Sequence, residues 1–407
     1  MREFFPNEDY EVKYVRQLGI ALSILCVVGS IFTLFGCSRP APVNLGNDLQ
    51  AIVSQVVQKD KSVKNCVLSL AKGDSSFSWS GAAGVASQDG NVPMTRDTPI
   101  YIASVTKLYT AAAVMRLYEM GALSLDDPMS KYLPDKIIRG IHVYRGKDFS
   151  NEITIGQLLS HSSGIADYYS EKGKDGKSLF DLFLENPDRS WSVDQTIERA
   201  RKDLTPNFPP GMGTSYSDTN FQLLGKIIEV ITGKPLDIVY ETFFFAPLGL
   251  EHTWLGGHSK GQTGTPADVF CKDTNINKVR SNGSYWADGG IVSTAKEMIV
   301  FLKALNEGRI IRPDTLNVMH RWRKWHFPLD YGYGTMHFRL PRILGAIMKV
   351  QPLWGHSGST GSFLYYSEDL DLYMAGTINQ TESQSKPFVL MIKAIRLIHA
   401  KSARSSG

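Results

Sequence analysis

The stretch from Tyr101 to Gly121 reads YIASVTKLYTAAAVMRLYEMG, and its lysine is out of place. On a helix with 100° per residue, Lys107 lies within about 60° of Ser104, on a face that is otherwise small or apolar. The opposite face is apolar too, so the stretch predicts a helix buried on nearly every side and closed by Gly121. A lysine in that position is costly unless a partner holds it.

This pair of residues has a chemical interpretation. Burial favours the neutral amine, and a neutral amine one turn from a hydroxyl can accept the proton of Ser104. An activated serine is the nucleophile of acyl transfer, and the helix start offers free backbone N–H groups to a developing oxyanion. The alternative is a helix-capping serine and a Lys107 whose amine reaches solvent. The stretch alone does not decide between them.

Ser-x-x-Lys also occurs at Ser69, Ser293 and Ser383. Ser69 falls in a predicted strand, where a lysine three positions later points to the other face. Lys296, which follows Ser293, lies away from the apolar positions of its predicted helix and faces water. Ser383 lies in a polar run and is expected to be exposed. The pattern therefore favours Ser104.

Composition limits the class of protein. The chain has 407 residues, 43% hydrophobic and 21% charged, with a formal net charge of +4, which is ordinary for a globular protein. We find no basic stripe interleaved with aromatic residues, so no nucleic-acid partner is expected. No metal-ligand spacing occurs among the cysteines, histidines and acids, so we predict no metal and no cofactor.

The N-terminus predicts export. The segment Leu18–Cys37 has no charged residue and is long enough to span a bilayer, while Lys13 and Arg16 indicate a cytoplasmic N-terminal end. Its last four residues resemble a bacterial lipobox, in which Cys37 is lipidated after cleavage. Phe35 is bulkier than that motif prefers, so an uncleaved anchor stays open. Either way, the rest of the chain is expected to be exported and tethered to the membrane, facing the periplasm or the cell exterior.

The remainder divides into a tether over residues 38–47, one domain over 48–400 and a tail over 401–407. Strand patterns near both ends enclose a loop-rich and helical middle, at about 123–288. This order predicts an α+β fold, with an antiparallel sheet assembled from both chain ends and a mostly helical subdomain. Cys66 and Cys271 could form a disulfide or stay free. The predicted elements are helices from Asp48, at Phe221–Thr232, from a capping box of Thr294 with Glu297, and at Pro387–Ala400, and strands within Cys66–Ala86, Gly361–Tyr366 and Leu372–Ile378.

Two further stretches make a family resemblance specific. FPPGMGTSYSDTNFQLLGKIIEVITGKPL around Tyr216 and LWGHSGSTGSF around His356 resemble the second and third motifs of serine hydrolases related to class C β-lactamases and D-alanyl-D-alanine carboxypeptidases, the penicillin-binding protein-like family. The similarity covers about residues 48–400. It implies a β-lactamase/transpeptidase-like fold, in which helices flank an antiparallel sheet and the active site lies beside a helical subdomain.

The resemblance also implies roles. Ser104 matches the acylated nucleophile, Lys107 its base partner and Tyr216 the phenol that relays protons. The backbone N–H groups of Ser104 and Ser359 match the oxyanion hole. The residues implied to bind or line the substrate are Asp218, His356, Ser357, Gly358 and Ser359.

Two departures from the family pattern bear on substrate. Asp218 stands where asparagine is usual, so it cannot donate a hydrogen bond as an amide does. It can instead pair with Lys107, raise its pKa and shift proton transfer toward Tyr216. His356 replaces a lysine that binds a substrate carboxylate, so the need for an anionic substrate weakens.

The resulting hypothesis is a serine hydrolase that forms an acyl-enzyme on an amide or ester. A D-alanyl-D-alanine carboxypeptidase-like peptidase or an esterase ranks ahead of a β-lactamase. The alternative is a penicillin-binding sensor or structural relative without turnover. The substrate would be a small peptide or ester, and the oligomeric state stays open.

Other residues have structural interpretations. His161 is expected to order a loop, and Trp191, Trp286 and Trp354 are expected to pack in the core or line a cleft.

Overall fold

A nine-stranded antiparallel sheet joins the two ends of the chain in the computed structural model, which describes residues 44–186, 189–278 and 284–405. The strands are β1 (Asn65–Lys72), β2 (Ser78–Ser87), β3 (Val92–Pro93), β4 (Ile100–Tyr101), β5 (Val143–Tyr144), β6 (Lys147–Asp148), β7 (Trp254–Leu255), β8 (Phe270–Cys271), β9 (Thr274–Asn275), β10 (Ile291–Ser293), β11 (Arg323–His326), β12 (Leu329–Tyr331), β13 (Met336–Phe338), β14 (Leu353–Ser357), β15 (Phe363–Ser367) and β16 (Leu372–Thr377).

The large sheet has the order β11-β12-β13-β14-β15-β16-β1-β2-β3. Its first strand β1 lies inside the sheet, paired on one side with β2 and on the other with the last strand β16, where Val67 lies opposite Thr377. Residues near the two ends of the chain therefore form neighbouring strands, as the sequence predicts.

Helices cover both faces of this sheet and fill the middle of the chain. They are α1 (Leu45–Lys59), α2 (Thr106–Glu119), α3 (Asp135–Ile138), α4 (Ile155–Leu159), α5 (Leu179–Glu185), α6 (Val193–Asp203), α7 (Asp218–Thr232), α8 (Leu236–Tyr240), α9 (Ala246–Leu248), α10 (Ala295–Asn306), α11 (Pro313–Met319), α12 (Arg342–Met348) and α13 (Lys386–Ser405). Short 3₁₀ turns occur at Ala103–Val105, Met129–Lys131 and Ile276–Lys278, and a π-helical turn at Glu241–Phe245.

Alternation along the strands separates two cores. In β1, Leu68 and Leu70 face the core that contains α1 and α13, whereas Val67 faces the core that contains α2 and α10. All three side chains are buried. A sheet buried on both faces needs helices on each side, and this arrangement confirms the predicted α+β class with an antiparallel sheet between helical layers.

The helix of the opening stretch is buried as its sequence predicts. Every side chain from Thr106 to Met115 is buried, and Gly121, at φ +72°, follows the helix end. The helix is preceded by a tight 3₁₀ turn that begins at Ala103, whose φ of +45° lies in the left-handed region. That conformation is strained for alanine, and it comes directly before Ser104.

Several expectations need correction or fall outside the described chain. Helix α1 begins at Leu45, capped by Asn44, so the last residues assigned to the tether belong to the folded domain. Thr294 caps α10, but the Glu297 carboxylate accepts hydrogen bonds from His252 N and Thr253 Oγ1 and does not complete a capping box. The alternatives for the two cysteines resolve to free, buried thiols at Cys66 and Cys271.

The predicted export segment and Cys37 lie outside the described residues. Within the described ranges, the structure contains no helix long and apolar enough to cross a membrane.

Candidate active site

Lys107 is fully buried at the centre of the site and is held by three polar neighbours. Its Nζ donates hydrogen bonds to Ser104 Oγ at 3.1 Å and to the backbone oxygen of Asp288 at 2.6 Å. It also forms an ion pair with Asp218 Oδ1 at 2.5 Å. A carboxylate at this distance stabilises the charged form of an amine, so the lysine is an ammonium in this arrangement.

Three segments converge to supply these groups. Ser104 lies in the turn before α2 and Lys107 in its first turn, Asp218 is the first residue of α7, and Asp288 lies three residues before β10. One helical turn separates Ser104 from Lys107, so the helix itself places their side chains side by side.

The charges around Lys107 determine its protonation. Burial alone lowers the pKa of Lys107, but the negative charges of Asp218 and Asp288 outweigh burial and raise the pKa above its ordinary value. The ring of Tyr216 lies 5.0 Å from Nζ, measured to the ring centroid, and adds a cation–π contact. The pairing of Asp218 with Lys107 that the sequence analysis expects is therefore present.

Tyr216 is in its neutral form. Burial first, and the charge of Asp218 second, raise the pKa of the Tyr216 phenol well above its ordinary value. A neutral phenol is a proton donor, so Tyr216 is suited to protonate a leaving group.

Sequence reasoning missed two buried carboxyls near this ion pair. Asp288 Oδ2 accepts the hydroxyl of Tyr168 at 2.5 Å, and burial raises the pKa of Asp288. Asp167 Oδ1 accepts the backbone N–H of Asp218 at 2.9 Å, and burial raises the pKa of Asp167 to about 7. Neither lies in the three motifs that carry the catalytic residues. The only signal in the sequence is that Asp288 precedes two glycines and that Asp167 follows the apolar pair Ile165-Ala166.

His356 does not face the cleft. Its side chain is fully buried in β14, with Nδ1 2.7 Å from the backbone oxygen of Ser357 and Nε2 3.0 Å from the hydroxyl of Tyr331. Because a carbonyl oxygen only accepts, Nδ1 carries the proton and Nε2 accepts the hydroxyl of Tyr331. Burial and the charge of Lys107 lower the pKa of His356 to about 3, so the ring is neutral. These contacts give His356 a positioning role in β14, and its substrate-binding role stays a prediction.

Aromatic rings enclose Tyr216. Its ring stacks on Trp325 of β11 with centroids 5.3 Å apart, and the rings of His161 and Tyr331 lie 4.3 and 5.8 Å away. His161 Nδ1 accepts the backbone N–H of Ser217, so this histidine orders the loop before α7, as expected. The stack fixes the direction of the Tyr216 phenol.

A cleft opens over Ser104. Of the predicted site residues, Ser104, Asp218 and Ser359 line it, whereas Lys107 lies beneath the serine and Tyr216 beside it. The remaining described lining is mostly uncharged: Tyr101, Ala103, Tyr169, Val269, Ile276, Asn277, Tyr285, Asp288, Gly289, Thr360 and Thr381. The three tryptophans left open in the sequence analysis are buried away from this lining, so they pack in the core.

Gly358 brings the β14–β15 turn against the serine. A Cβ on Gly358 would overlap Ser362 Oγ and lie 2.6 Å from the backbone oxygen of Ile102, so only glycine fits this close approach. The next residue, Ser359, is thereby held at the cleft across from Ser104. Ser357 lies behind it, with its hydroxyl 2.9 Å from the hydroxyl of Tyr365.

The other Ser-x-x-Lys pairs differ in their surroundings. Ser69 is buried in β1 against Ser80, and Lys296 is exposed and pairs with Asp97. Ser383 is half-buried, so the expectation of an exposed serine is wrong, and Lys386 Nζ lies 3.1 Å from its hydroxyl. The distance from lysine Nζ to serine Oγ is the same as in the Ser104 pair, but Ser383 does not line the cleft over Ser104.

A cleft serine within hydrogen-bond distance of a buried lysine, with a phenol beside both, is the arrangement of a nucleophilic serine site. The pattern of the Beta-lactamase family matches residues 56–395, and the chain belongs to that family.

Three relatives illustrate the range of the family. A putative D-alanyl-D-alanine carboxypeptidase of Escherichia coli (strain K12) is 36% identical over 183 residues, 42% of this chain and 39% of that protein. Esterase EstB of Burkholderia gladioli is 30% identical over 213 residues, 51% of this chain and 50% of that protein. The structure of a D-stereospecific amidohydrolase from Streptomyces sp. is 26% identical with a TM-score of 0.67, covering 83% of this chain and 94% of that one. The chain spans about half the length of the curated relatives it matches.

The hydroxyl of Tyr331 offers a test of the positioning role of His356. Tyr331→Phe keeps the ring against Tyr216 but leaves the buried Nε2 of His356 without its donor, so we expect a loss of about 1–3 kcal/mol in the free energy of unfolding. Urea denaturation measures it. Tyr118→Phe, at an exposed tyrosine, is the control and should change little. Equal stability of Tyr331→Phe and the wild type would contradict the bond.

Proposed function

We propose that this protein is a serine hydrolase that cleaves an ester or amide through an acyl-enzyme on Ser104. The observation that carries the proposal is Lys107 Nζ, 3.1 Å from Ser104 Oγ beneath an open cleft. Membership of the Beta-lactamase family and relatives named as a carboxypeptidase, an esterase and an amidohydrolase support it.

The first chemical step needs a change in Lys107. In the resting site the lysine is an ammonium, which cannot accept the proton of Ser104. The reactive form is therefore the one in which Lys107 has lost a proton, and its share grows as pH rises toward the raised pKa. In that form the serine proton passes to Nζ while Oγ bonds to the substrate carbonyl carbon and the carbonyl electron pair moves to oxygen.

The later steps use the phenol and the backbone. The N–H groups of Ser104 and Ser359 are placed to stabilise the oxyanion. When the intermediate collapses, the bond to the leaving group breaks and Tyr216 protonates it, and the proton held by Lys107 restores the phenol. Water then attacks the acyl-enzyme by the same route in reverse and releases Ser104.

The lining of the cleft supports an uncharged substrate. The described side chains that line it include three tyrosines and two carboxyls, Asp218 and Asp288, but no lysine, arginine or histidine. Since His356 is buried behind the site, none of these described side chains offers a positive charge to a substrate carboxylate. We therefore rank the possible activities in this order: an esterase or amidase first, a carboxypeptidase for D-alanyl-D-alanine second and a β-lactamase third.

We further propose that the domain is exported and tethered through Leu18–Cys37, either as an uncleaved anchor or through a lipid on Cys37. The mass of the mature chain decides between the two forms, because lipidation follows cleavage before Cys37.

A second candidate function is a binding protein that is acylated but not turned over. The ammonium state of Lys107, held by three acceptors, favours it because a lysine in that state activates neither Ser104 nor the deacylating water.

Covalent labelling tests the nucleophile. A fluorophosphonate should modify Ser104, with the adduct mapped by mass spectrometry, and Ser104→Ala should lose labelling. Ser383→Ala is a matched control, because that serine also has a lysine at 3.1 Å but lies outside the cleft, and it should label like the wild type. An adduct at Ser383, or undiminished labelling of Ser104→Ala, would refute the assignment.

The pH dependence of labelling tests the ion pair. In the wild type the rate of labelling should rise into the alkaline range, because the raised pKa keeps Lys107 charged at neutral pH. Asp218→Asn removes the larger of the two charges that raise this pKa, so burial, which lowers it, is opposed mainly by Asp288. We expect the rise to move to lower pH by about one unit or more, with about tenfold faster labelling at pH 7. Asp194→Asn, at an exposed partner of Lys226, should not move the profile. A profile unchanged in Asp218→Asn would contradict the role of the ion pair.

A hydrolysis panel separates the two candidate functions. We expect p-nitrophenyl esters and D-amino-acid amides to be turned over faster than D-alanyl-D-alanine peptides and β-lactams, since the latter two carry a carboxylate. Ser104→Ala sets the background. Stable acylation without product release over hours would support the binding protein, and a strong preference for the carboxylate substrates would contradict the proposed ranking.

A further inference from the structure

Helix α12 exposes apolar side chains on one face. Ile343 is 79% exposed and Ile347, one turn later, is 61% exposed, whereas Gly345 and Met348 on the other face are buried against the core. Side chains four residues apart share a helix face, so the two isoleucines form one apolar strip. Exposed isoleucines of this extent are unusual on a surface that meets only water.

Phe327 is a third exposed apolar side chain, in the segment bonded to the chain just before α12. Its side chain is 50% exposed, and the following residue, Pro328, accepts a hydrogen bond from the backbone N–H of Arg339, three residues before α12. The pairing of β12 with β13 places Leu329 opposite Phe338, so both segments reach the same end of the two strands. We call Phe327, Ile343 and Ile347 the apolar strip.

The segment that contains the apolar strip is positively charged. Residues 321–349 contain six lysines and arginines and one aspartate, a formal charge of +5, whereas the whole chain carries +4. Arg342 and Lys349, at the two ends of α12, are exposed, and no described acidic side chain lies within ion-pair distance of either. The expectation that the chain lacks a basic stripe interleaved with aromatic residues is therefore wrong for RWRKWHF at 321–327.

We propose that the apolar strip and the basic segment that contains it form a docking surface for an anionic lipid bilayer. Isoleucine and phenylalanine side chains enter the boundary between headgroups and acyl chains, while lysine and arginine side chains contact the phosphates. Basic residues at both ends of a short apolar helix face fit a helix that lies in the plane of the membrane surface.

The charge argues against a second copy of this chain as the occupant. A twofold dimer through the apolar strip would place one +5 segment against another, and like charges across an interface oppose association. An anionic lipid surface neutralises the same charges.

The predicted tether would hold the domain, and with it the apolar strip, close to the membrane. This step rests on the proposed export and anchoring. Only residues 38–44 separate Cys37 from the start of α1, at most about 25 Å of extended chain. Leu45 of α1 and Met348 of α12 belong to the same core, on one side of the large sheet. The tether and the apolar strip together supply two attachments, each of which strengthens the other.

Hydrogen–deuterium exchange on the full chain tests the docking surface. The protein is reconstituted in vesicles of phosphatidylcholine alone or of phosphatidylcholine mixed with phosphatidylglycerol. We expect slower exchange over 321–328 and 342–350 only with phosphatidylglycerol, and loss of this protection in Ile343→Gln/Ile347→Gln. Replacing Arg342 and Lys349 with Gln should lower the ratio of docked to undocked protein about fivefold per residue.

The chain contains a matched control. Val230 and Ile238 are 55% and 44% exposed, but residues 226–241 contain two lysines against three acids, a formal charge of −1, so this segment should not be protected by either lipid. High salt should abolish the protection, because about 1 M salt shortens the screening length to about 3 Å.

Four outcomes would overturn the proposal. They are equal exchange in both lipids, equal protection around Val230, protection that survives the isoleucine substitutions, and protection in detergent that grows with protein concentration, which would indicate a second copy. Labelling of Ser104 in the isoleucine variant reports that the domain is folded, and it does so independently of membrane docking. A failure of hydrolysis with intact docking would contradict only the proposed function.

Discussion

The burial of one ammonium group organises this molecule. A charge removed from water needs polar partners. Three segments supply them to Lys107: the turn before α2, the first residue of α7 and the loop before β10. These contacts connect α2, which packs on the large sheet, to α7 in the helical middle of the chain. The site is thus a point where two parts of the domain meet, which is where binding clefts commonly form.

The ion pair of Lys107 with Asp218 has opposite effects on the stability of the fold and on the reactivity of the site. Asp218 compensates the buried charge of Lys107 and so supports the folded state, but it also keeps the lysine in the form that cannot accept a proton. An asparagine at this position would remove part of that compensation and lower the pKa of Lys107, so that a larger share of the amine would be neutral and able to accept a proton. Two further carboxyls, Asp167 and Asp288, lie near the same cation, and burial first, with the charge of Asp218 second, raises the pKa of each.

The sequence predicts the parts of this fold that depend on local pattern. The burial of α2, the return of the last strands to the first and the nearness of Ser104 to Lys107 all follow from periodicity and spacing. The position of His356 does not, because a motif places a residue on a strand without showing which face meets the core. Asp288 and Tyr331 were missed for a related reason, since each reaches the site only through contacts that are distant in the chain. The positive charge of residues 321–349 was missed because the net charge of the whole chain is small.

The pairing of β1 with β16 has a consequence for how the protein is made. Val67 and Thr377 are 310 positions apart, yet they face each other inside the sheet. While the ribosome is still producing the middle of the chain, β1 has only the hairpin partner β2, and its other edge stays open until almost the whole protein has been synthesised. Closing so long a loop is slow, and an open apolar edge can pair with other chains. The central sheet is therefore completed only when almost the whole chain has left the ribosome, and until then its inner edge is the part of the molecule most exposed to wrong partners.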